Sequence, residues 1–426
     1  NNAVDASLTF YKDIFAIPPG HFATYQPRTQ ELNIQLYWDL DKQTIKDPGA
    51  DPTTLFTRLL TQSLQQRLRS DVPVGSSLSG GLDSSAIVAL SQQLHSSSHS
   101  YKAFTAVFPG FEKDETQQAQ TVARKFQLQH HTVAPDAAGL INDFARLCYH
   151  QEQPFSSASV YAQYKVMELA QQCGVTVLLD GQGADETLAG YTRYVHWYLQ
   201  ELLLKFRYGF AMQERIRLQQ NGVPFSWGWP NYLAAFFPMI ANAHLEEQER
   251  KRILMHPHIS RDYAAAHYDK YYSVFKPPVS KLNDILYFNT MQQGLGELLH
   301  YADRNSMAFG REVRLPFLSH QLVEFVFSLP AWHKIHNGFQ KWILRQSMEQ
   351  LLPAEIVWRK DKTGFEPPQQ QWMQHPGLQE MIMESRKKLV AEQILSPSVL
   401  EAPIQAKAAY EAHNADWRYL TTAAQC

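Results

Sequence analysis

The stretch PVGSSLSGGLDSSAIVAL, Pro73 to Leu90, reads as a short strand running into Ser79-Gly80-Gly81-Leu82-Asp83-Ser84-Ser85 and then directly into a helix. Two glycines let backbone N–H groups approach an anion without a Cβ in the way. The serines add hydroxyl donors, and the helix start contributes the positive end of its dipole. Such a loop can cradle a pyrophosphate group. No lysine follows the glycines, so this is not the GxxxxGK[ST] loop that grips β- and γ-phosphates. Asp83 instead offers a magnesium ligand beside the phosphates, which suggests attack at the α-phosphate with pyrophosphate leaving. A Gly-rich turn ahead of a helix cap uses the same residue types, so the surrounding pattern has to discriminate.

Outward from this loop, apolar runs at Val74 to Leu78, Ala103 to Phe108, His131 to Ala134 and Val175 to Leu179 alternate with helical periods. The helical periods cover Ser84 to Leu94, Glu115 to Phe126, Ala137 to His150 and Val160 to Cys173. This predicts an α/β fold, a parallel sheet flanked by helices, with the loops after Leu78, Phe108 and Leu179 converging on one crevice. Residues 1 to about 50 read as short strands around Pro18-Pro19-Gly20, closed by the linker KQTIKDPGADP at 42–52. Helical spacing begins with Leu55, Leu59, Leu60, Leu64 and Leu68, so a first boundary falls near residue 50. The α/β unit then spans 51–195. Beyond it strand-like alternation disappears, and 196–426 reads as a mostly helical C-terminal lobe. Tyr232 to Leu245 (YLAAFFPMIANAHL) is too short for the roughly 20 residues of a membrane span and contains Pro238, so it reads as a buried helix.

Composition removes several classes of function. Lys+Arg 39 against Asp+Glu 41 leaves no basic excess for gripping nucleic acid in a chain of 426 residues. Cys148, Cys173 and Cys426 are scattered, which excludes a disulfide scaffold and a cysteine zinc site and fits a reducing compartment. Asp5, Lys12 and Asp13 interrupt the opening residues, unlike a signal peptide, so a cytoplasmic location is expected, with no membrane partner.

A second acidic loop, Asp180-Gly181-Gln182-Gly183-Ala184-Asp185-Glu186, follows a strand in the same way as the first. Together with FPGFEKDET (Phe108 to Thr116), DRNSMAF (Asp303 to Phe309), EVRLPFL (Glu312 to Leu318) and LPAEIVWRKDKTGFEPP (Leu352 to Pro368), these loops resemble the asparagine synthetase family. Its synthetase domain is of the ATP-pyrophosphatase, or PP-loop, type, with the adenine nucleotide alpha hydrolase-like fold. The likeness runs from about residue 53 to beyond 370, and TFYKDIFAIPPGHFATY is similar to the last strands of the family's glutaminase domain.

The resemblance implies that a carboxylate, most simply the side chain of aspartate, is adenylated and that ammonia or an amine then displaces AMP. ATP and Mg2+ are the cofactors it implies. Leu78, Ser79, Gly80, Gly81, Asp83, Ser84, Ser85, Val107, Asp180 and Gly181 are expected around the nucleotide, and Asp83 with Asp185 around the metal. Lys362 matches the family lysine that neutralises charge in the second step.

The sequence departs from the family in three places. Gln182 stands where many members carry a glutamate, and a glutamine cannot take up a proton, so Glu186 or Glu312 is the expected base if one is needed. Ser319 replaces an aspartate and is expected to cap the following helix. The chain begins Asn1-Asn2 rather than with a catalytic cysteine, so it reads as a processed synthetase or a standalone ligase that does not hydrolyse glutamine by that route. The partners left open are a homodimer and a missing glutaminase domain. An amide-forming cyclase of the β-lactam or lasso-peptide type would share these motifs. A tRNA-modifying pyrophosphatase is disfavoured by the charge balance, and a noncatalytic scaffold by the retention of Asp83, Asp185 and Lys362.

Other residues receive plainer readings. His130 and His131 read as structural, Trp227 and Trp229 as core or domain-contact residues with a wall of the substrate pocket as the alternative, Cys148 and Cys173 as buried small side chains, and Lys341 and Arg345, four apart on a helix, as a solvated face with phosphate contact as the alternative.

Overall fold

The structure, a computed structural model, describes residues 7, 9–47, 49, 51–94, 101–271, 278–360, 364–411 and 414–425. Strands β1 (His21–Gln26) and β2 (Glu31–Leu36) form an antiparallel hairpin on which Phe22, Tyr25, Leu32, Ile34 and Leu36 are exposed. The chain then joins the body of the molecule. The Trp38 indole N–H donates to Glu324 at 2.8 Å, the Tyr287 hydroxyl donates to Asp39 at 2.8 Å, and Leu40 is buried. Helix α1 (Pro52–Arg67) starts where the helical period starts. The Asp51 carboxylate accepts from the Thr54 N–H at 3.0 Å, and Pro52 sits in the first turn, where no N–H is required.

Strands and helices alternate from there: β3 (Val74–Ser77), α2 (Leu82–Leu94), β4 (Lys102–Ala106), α3 (Thr116–Lys125), β5 (Gln129–Val133), α4 (Ala137–Gln151), α5 (Ser159–Gln172) and β6 (Val177–Leu179). A helical stretch follows, with α6 (Ala184–Thr187), α7 (Tyr194–Leu204), α8 (Tyr208–Gln220), α9 (Trp229–Phe236), α10 (Pro238–Leu254), α11 (Arg261–Tyr271), α12 (Leu282–Tyr287) and α13 (Leu295–Met307). Then come β7 (Glu312–Arg314), α14 (His320–Ser328), β8 (Ile335–His336), β9 (Phe339–Gln340) and α15 (Trp342–Met348). Among the described residues, four further α-helices, Ala354–Val357, Gln369–Trp372, Pro376–Ala391 and Ala415–Ala423, and a 3-10 turn at Pro397–Leu400 follow.

The central sheet is parallel throughout, in the order β5-β4-β3-β6-β7. Successive strand residues point to opposite faces, and both faces are covered, as a parallel sheet requires. Ala103 and Leu179 face a cluster with Phe56 and Leu60 of α1, Ile87 and Leu90 of α2, and Ile343 and Leu344 of α15. Their neighbours Phe104 and Leu178 face the opposite cluster, with Phe144 of α4, Tyr161 and Tyr164 of α5, and Trp417. A third cluster joins Tyr194 and Tyr198 of α7, Leu218 of α8, and Leu282 and Leu286 of α12 to Val323 and Phe327 of α14.

Three expectations need correcting. Strands do not end with the first half of the chain. Residue 312 begins β7, which pairs with β6, and β8 with β9 forms a small hairpin. With two or three residues each, and Val313 as the only apolar side chain of β7, these strands are too short to show a period. Tyr232 to Leu245 is not one buried helix. It is split between α9 and α10 at Phe237 and Pro238, and Leu233, Phe236, Phe237, Met239, Ile240 and Leu245 are exposed. Trp229 is exposed too, whereas Trp227 packs on the third cluster. No helix among the described residues is long and apolar enough to cross a membrane.

Candidate active site

After β5 the chain returns to the other side of β3, so the carboxyl ends of β3 and β6 lie side by side where the strand order reverses. In open α/β sheets this is the place for a ligand. The loop after β3 is tied to the start of α2. The Ser84 hydroxyl accepts from the Ser79 N–H at 3.2 Å, the Ser79 hydroxyl accepts from the Gly81 N–H at 3.2 Å, and the Ser85 N–H donates to the Gly81 carbonyl at 3.1 Å. The loop after β6 presses directly on it. A Cβ at Gly181 would lie 3.0 Å from Asp83 Cβ and 3.1 Å from the Ser84 nitrogen, so the two loops meet this closely only with glycine there.

The resulting cavity is lined by Leu78, Ser79, Gly81, Asp83 and Ser84 of the first loop and by Asp180, Gly181, Gln182 and Asp185 of the second. Phe104, Thr105, Ala106, Val166 and Ile356 supply an apolar wall of the kind a base can lie against. Of the other expected residues, Ser85 is buried in α2, Gly80 packs against α3, and Val107 is buried behind Ala106 with its N–H donated to Val133. None of these three lines the cavity. Thr105 is backed by His130, whose Nε2 lies 2.7 Å from the Thr105 hydroxyl, and His131 stacks on Phe104, so both histidines serve packing.

Of the two sequence readings of Lys341 and Arg345, the structure overturns the solvated face. They are 4% and 9% exposed and line the cavity, rather than forming a solvated face. The Lys341 ammonium, at the N-cap of α15, pairs with Asp83 and, at 2.6 Å, with Asp185. Burial works against its charge, but Asp185 and Asp83 outweigh that and hold its pKa above the ordinary lysine value. Arg345 Nε donates to the Gln340 carbonyl at 2.8 Å and its NH1 to the Val357 carbonyl, and burial lowers its pKa to about 10. Arg359, ion-paired with Glu115 at 2.6 Å, completes this wall. The available sequence signal was that QKWILRQ contains no acidic residue, so any counter-charge had to come from elsewhere in the chain.

The expected bases occupy different surroundings. Glu186 is buried behind Asp185 and accepts from the Tyr191 hydroxyl at 2.7 Å. Burial first, and then the Asp185 charge, raise its pKa. Glu312 does not join the site. It starts β7 opposite Val177, at the end of the sheet away from the crevice, and pairs with Arg314 at 2.7 Å, which lowers its pKa. Gln182 is in the cavity wall, and its Oε1 is buried without a hydrogen-bond partner among the described residues. Lys362 lies outside the described residues. Ser319 occupies the N-cap position of α14, but its side chain makes no capping bond.

The donor set suits a nucleotide with a divalent ion. Two carboxylates already converge on one cation, the Lys341 ammonium. No group of three His, Cys, Asp or Glu among the described residues could hold a metal unaided, so a magnesium ion here would take its remaining oxygen ligands from phosphate and water.

The asparagine synthase family model matches residues 55–425. This chain belongs to the asparagine synthase family. It is 29% identical to asparagine synthetase [glutamine-hydrolyzing] 1 of Bacillus subtilis over 375 residues, covering 84% of this chain and 56% of that protein. A putative asparagine synthetase of Methanocaldococcus jannaschii is 30% identical over 212 residues, covering 47% of this chain and 39% of its own length. An amidase of Penicillium rubens, ChyE, is 24% identical over 416 residues, 86% of this chain and 60% of that protein. The chain thus spans little more than half the length of the first family members it matches.

Proposed function

We propose that this chain is an ATP-dependent amide-forming ligase that adenylates a carboxylate and transfers the acyl group to ammonia or an amine. The observation that carries this reading is the convergence of Asp83 and Asp185 on one cation beside a glycine-serine loop at a helix start. In the first step a carboxylate oxygen attacks the α-phosphorus, the bond from that phosphorus to the bridging oxygen breaks, and pyrophosphate leaves. In the second, the nitrogen attacks the acyl carbon, the carbon–oxygen bond to phosphate breaks, AMP leaves, and one proton is lost from the nitrogen.

The residues divide this work by their chemistry. The Ser79 to Ser84 backbone and hydroxyls bind phosphate oxygens, and Lys341 with Arg345 offset the charge that builds up as pyrophosphate separates. Magnesium, held by Asp83 and Asp185, would supply Lewis-acid stabilisation of the same oxygens. Gln182 can orient the amine through its free Oε1 but cannot take its proton. We propose aspartate as the carboxylate and ammonia as the simplest nucleophile. An amide-forming cyclase, whose amine is part of the same substrate, uses the same two steps.

The test is pyrophosphate release from Mg-ATP in the presence of aspartate and ammonia, followed by a panel of amino-substituted carboxylates. Formation of asparagine supports the leading reading, and a cyclic amide formed without added ammonia supports the cyclase. Asp83→Asn should reduce turnover by about a hundredfold or more, in line with the loss of one electrostatic stabiliser. ATP binding without pyrophosphate release from any carboxylate would sink the proposal.

A further inference from the structure

The two carboxylates expected to hold metal are already bridged by a lysine from a distant part of the chain. Lys341 is enclosed, its backbone is in the left-handed region at φ 54°, and its ammonium bonds Asp83 and Asp185 together. The pocket for its stem is built in. A Cβ at Gly190 would overlap both the Asp185 carboxylate and Lys341 Cε, so glycine at 190 is what lets lysine and aspartate meet. A divalent ion placed between the same carboxylates would lie beside this buried ammonium, and the two cations would repel each other. The cavity that Lys341 itself lines is open to the ammonium. That is where the nucleotide's phosphates would offer it new partners.

We infer that Lys341 is a displaceable stand-in for the metal: it holds the two acidic loops together in the nucleotide-free protein and admits a divalent cation only when nucleotide phosphates take over its ammonium. The inference rests on the reading of this cavity as a metal–nucleotide site. It makes metal and nucleotide binding mutually dependent, where two preformed carboxylates alone would bind the ion first.

The test uses Mn2+ as a paramagnetic probe, titrated by electron paramagnetic resonance, with an ATP analogue carrying a methylene group between the α- and β-phosphates. Wild-type protein should bind Mn2+ weakly alone and about tenfold or more tightly with the analogue. Lys341→Met should bind Mn2+ without nucleotide about tenfold or more tightly than wild type does, and Lys341→Arg, which keeps the cation, should behave as wild type. In thermal unfolding, Mg2+ alone should raise the midpoint of Lys341→Met and leave that of wild type unchanged. Equal Mn2+ affinity of nucleotide-free wild type and Lys341→Met overturns the inference while leaving the nucleotide reading intact. Failure of wild type to retain Mn2+ even with the analogue overturns both. If Lys341→Met does not fold, the nucleotide dependence of wild-type Mn2+ binding decides alone, and its absence overturns the inference.

Discussion

Lys334, seven positions before the site lysine, shows what an ammonium costs where burial outweighs the nearest carboxylate charge. It is 0% exposed, donates to the Leu329 carbonyl at 2.9 Å, and lies over the Phe327 ring. Burial lowers its pKa from 10.5 to about 7, and Glu201 offsets only part of that. Above about pH 7 the folded protein therefore prefers the neutral amine, while the unfolded chain stays protonated up to roughly pH 10.4. Stability carries the full burial cost below about pH 7 and rises with pH between that value and the unfolded one. We expect urea unfolding of wild type to show this rise between neutral and alkaline pH, and Lys334→Met to flatten it; an unchanged slope would remove Lys334 as its cause. The contrast also explains what could be read at the level of single residues. Asp83 and Asp185 were legible because each stands in a short motif beside glycines that serve the same ligand. Lys341 was legible only as one of two readings, because the groups that distinguish it from Lys334 are supplied by loops far away in the sequence, one of them 258 positions off.

Among the elements, the β8–β9 hairpin has the closest bearing on the site, because its last residue is followed directly by Lys341. Its turn sits on Glu214 of α8, a fully buried carboxylate that accepts from the Asn337 N–H at 3.0 Å and the Gly338 N–H at 3.3 Å. Asn221 donates to the carbonyls of both turn residues at 3.2 and 3.1 Å, and Gln340 donates to the Ala189 carbonyl at 3.1 Å beside the second acidic loop. Glu214→Ala strands the buried Gly338 N–H and the half-buried Asn337 N–H and should cost about 2–5 kcal/mol of stability. Through the loosened turn it should also raise KM for ATP more than it lowers kcat. Glu214→Gln keeps an acceptor and should recover part of both losses; equal KM values in all three proteins would confine Glu214 to stability. Elements of this size are hard to see in a sequence. A pair of two-residue strands has no period, and β7 carries one apolar side chain, whereas the strands around the first loop and helices α2 to α5 announced themselves by length and spacing. The α9–α10 segment misled for the opposite reason: its apolar residues are numerous, but a break at Phe237 and Pro238 leaves many of them facing outward.

At the scale of the molecule, the parallel sheet and its crevice followed from alternation alone, since buried strands joined by helices admit few other arrangements. The strand order, with β6 returning beside β3 and β7 arriving from the second half of the chain, required the three-dimensional fold. The cavity wall shares this property. The ion pair between Asp83 and Lys341 spans 258 positions, and the pair between Glu115 and Arg359 links the same two distant regions. Loops of this length are slow to close, and their contacts reward the chain only after the intervening helices have packed. During refolding from urea, the helical far-ultraviolet signal should therefore return before the protein can bind a fluorescent ATP analogue. Simultaneous recovery of the two signals would contradict this order. On the proposed function, the lysine that joins the two acidic loops would make nucleotide capture a late reporter of folding: partly folded chains would neither sequester ATP nor begin to spend it.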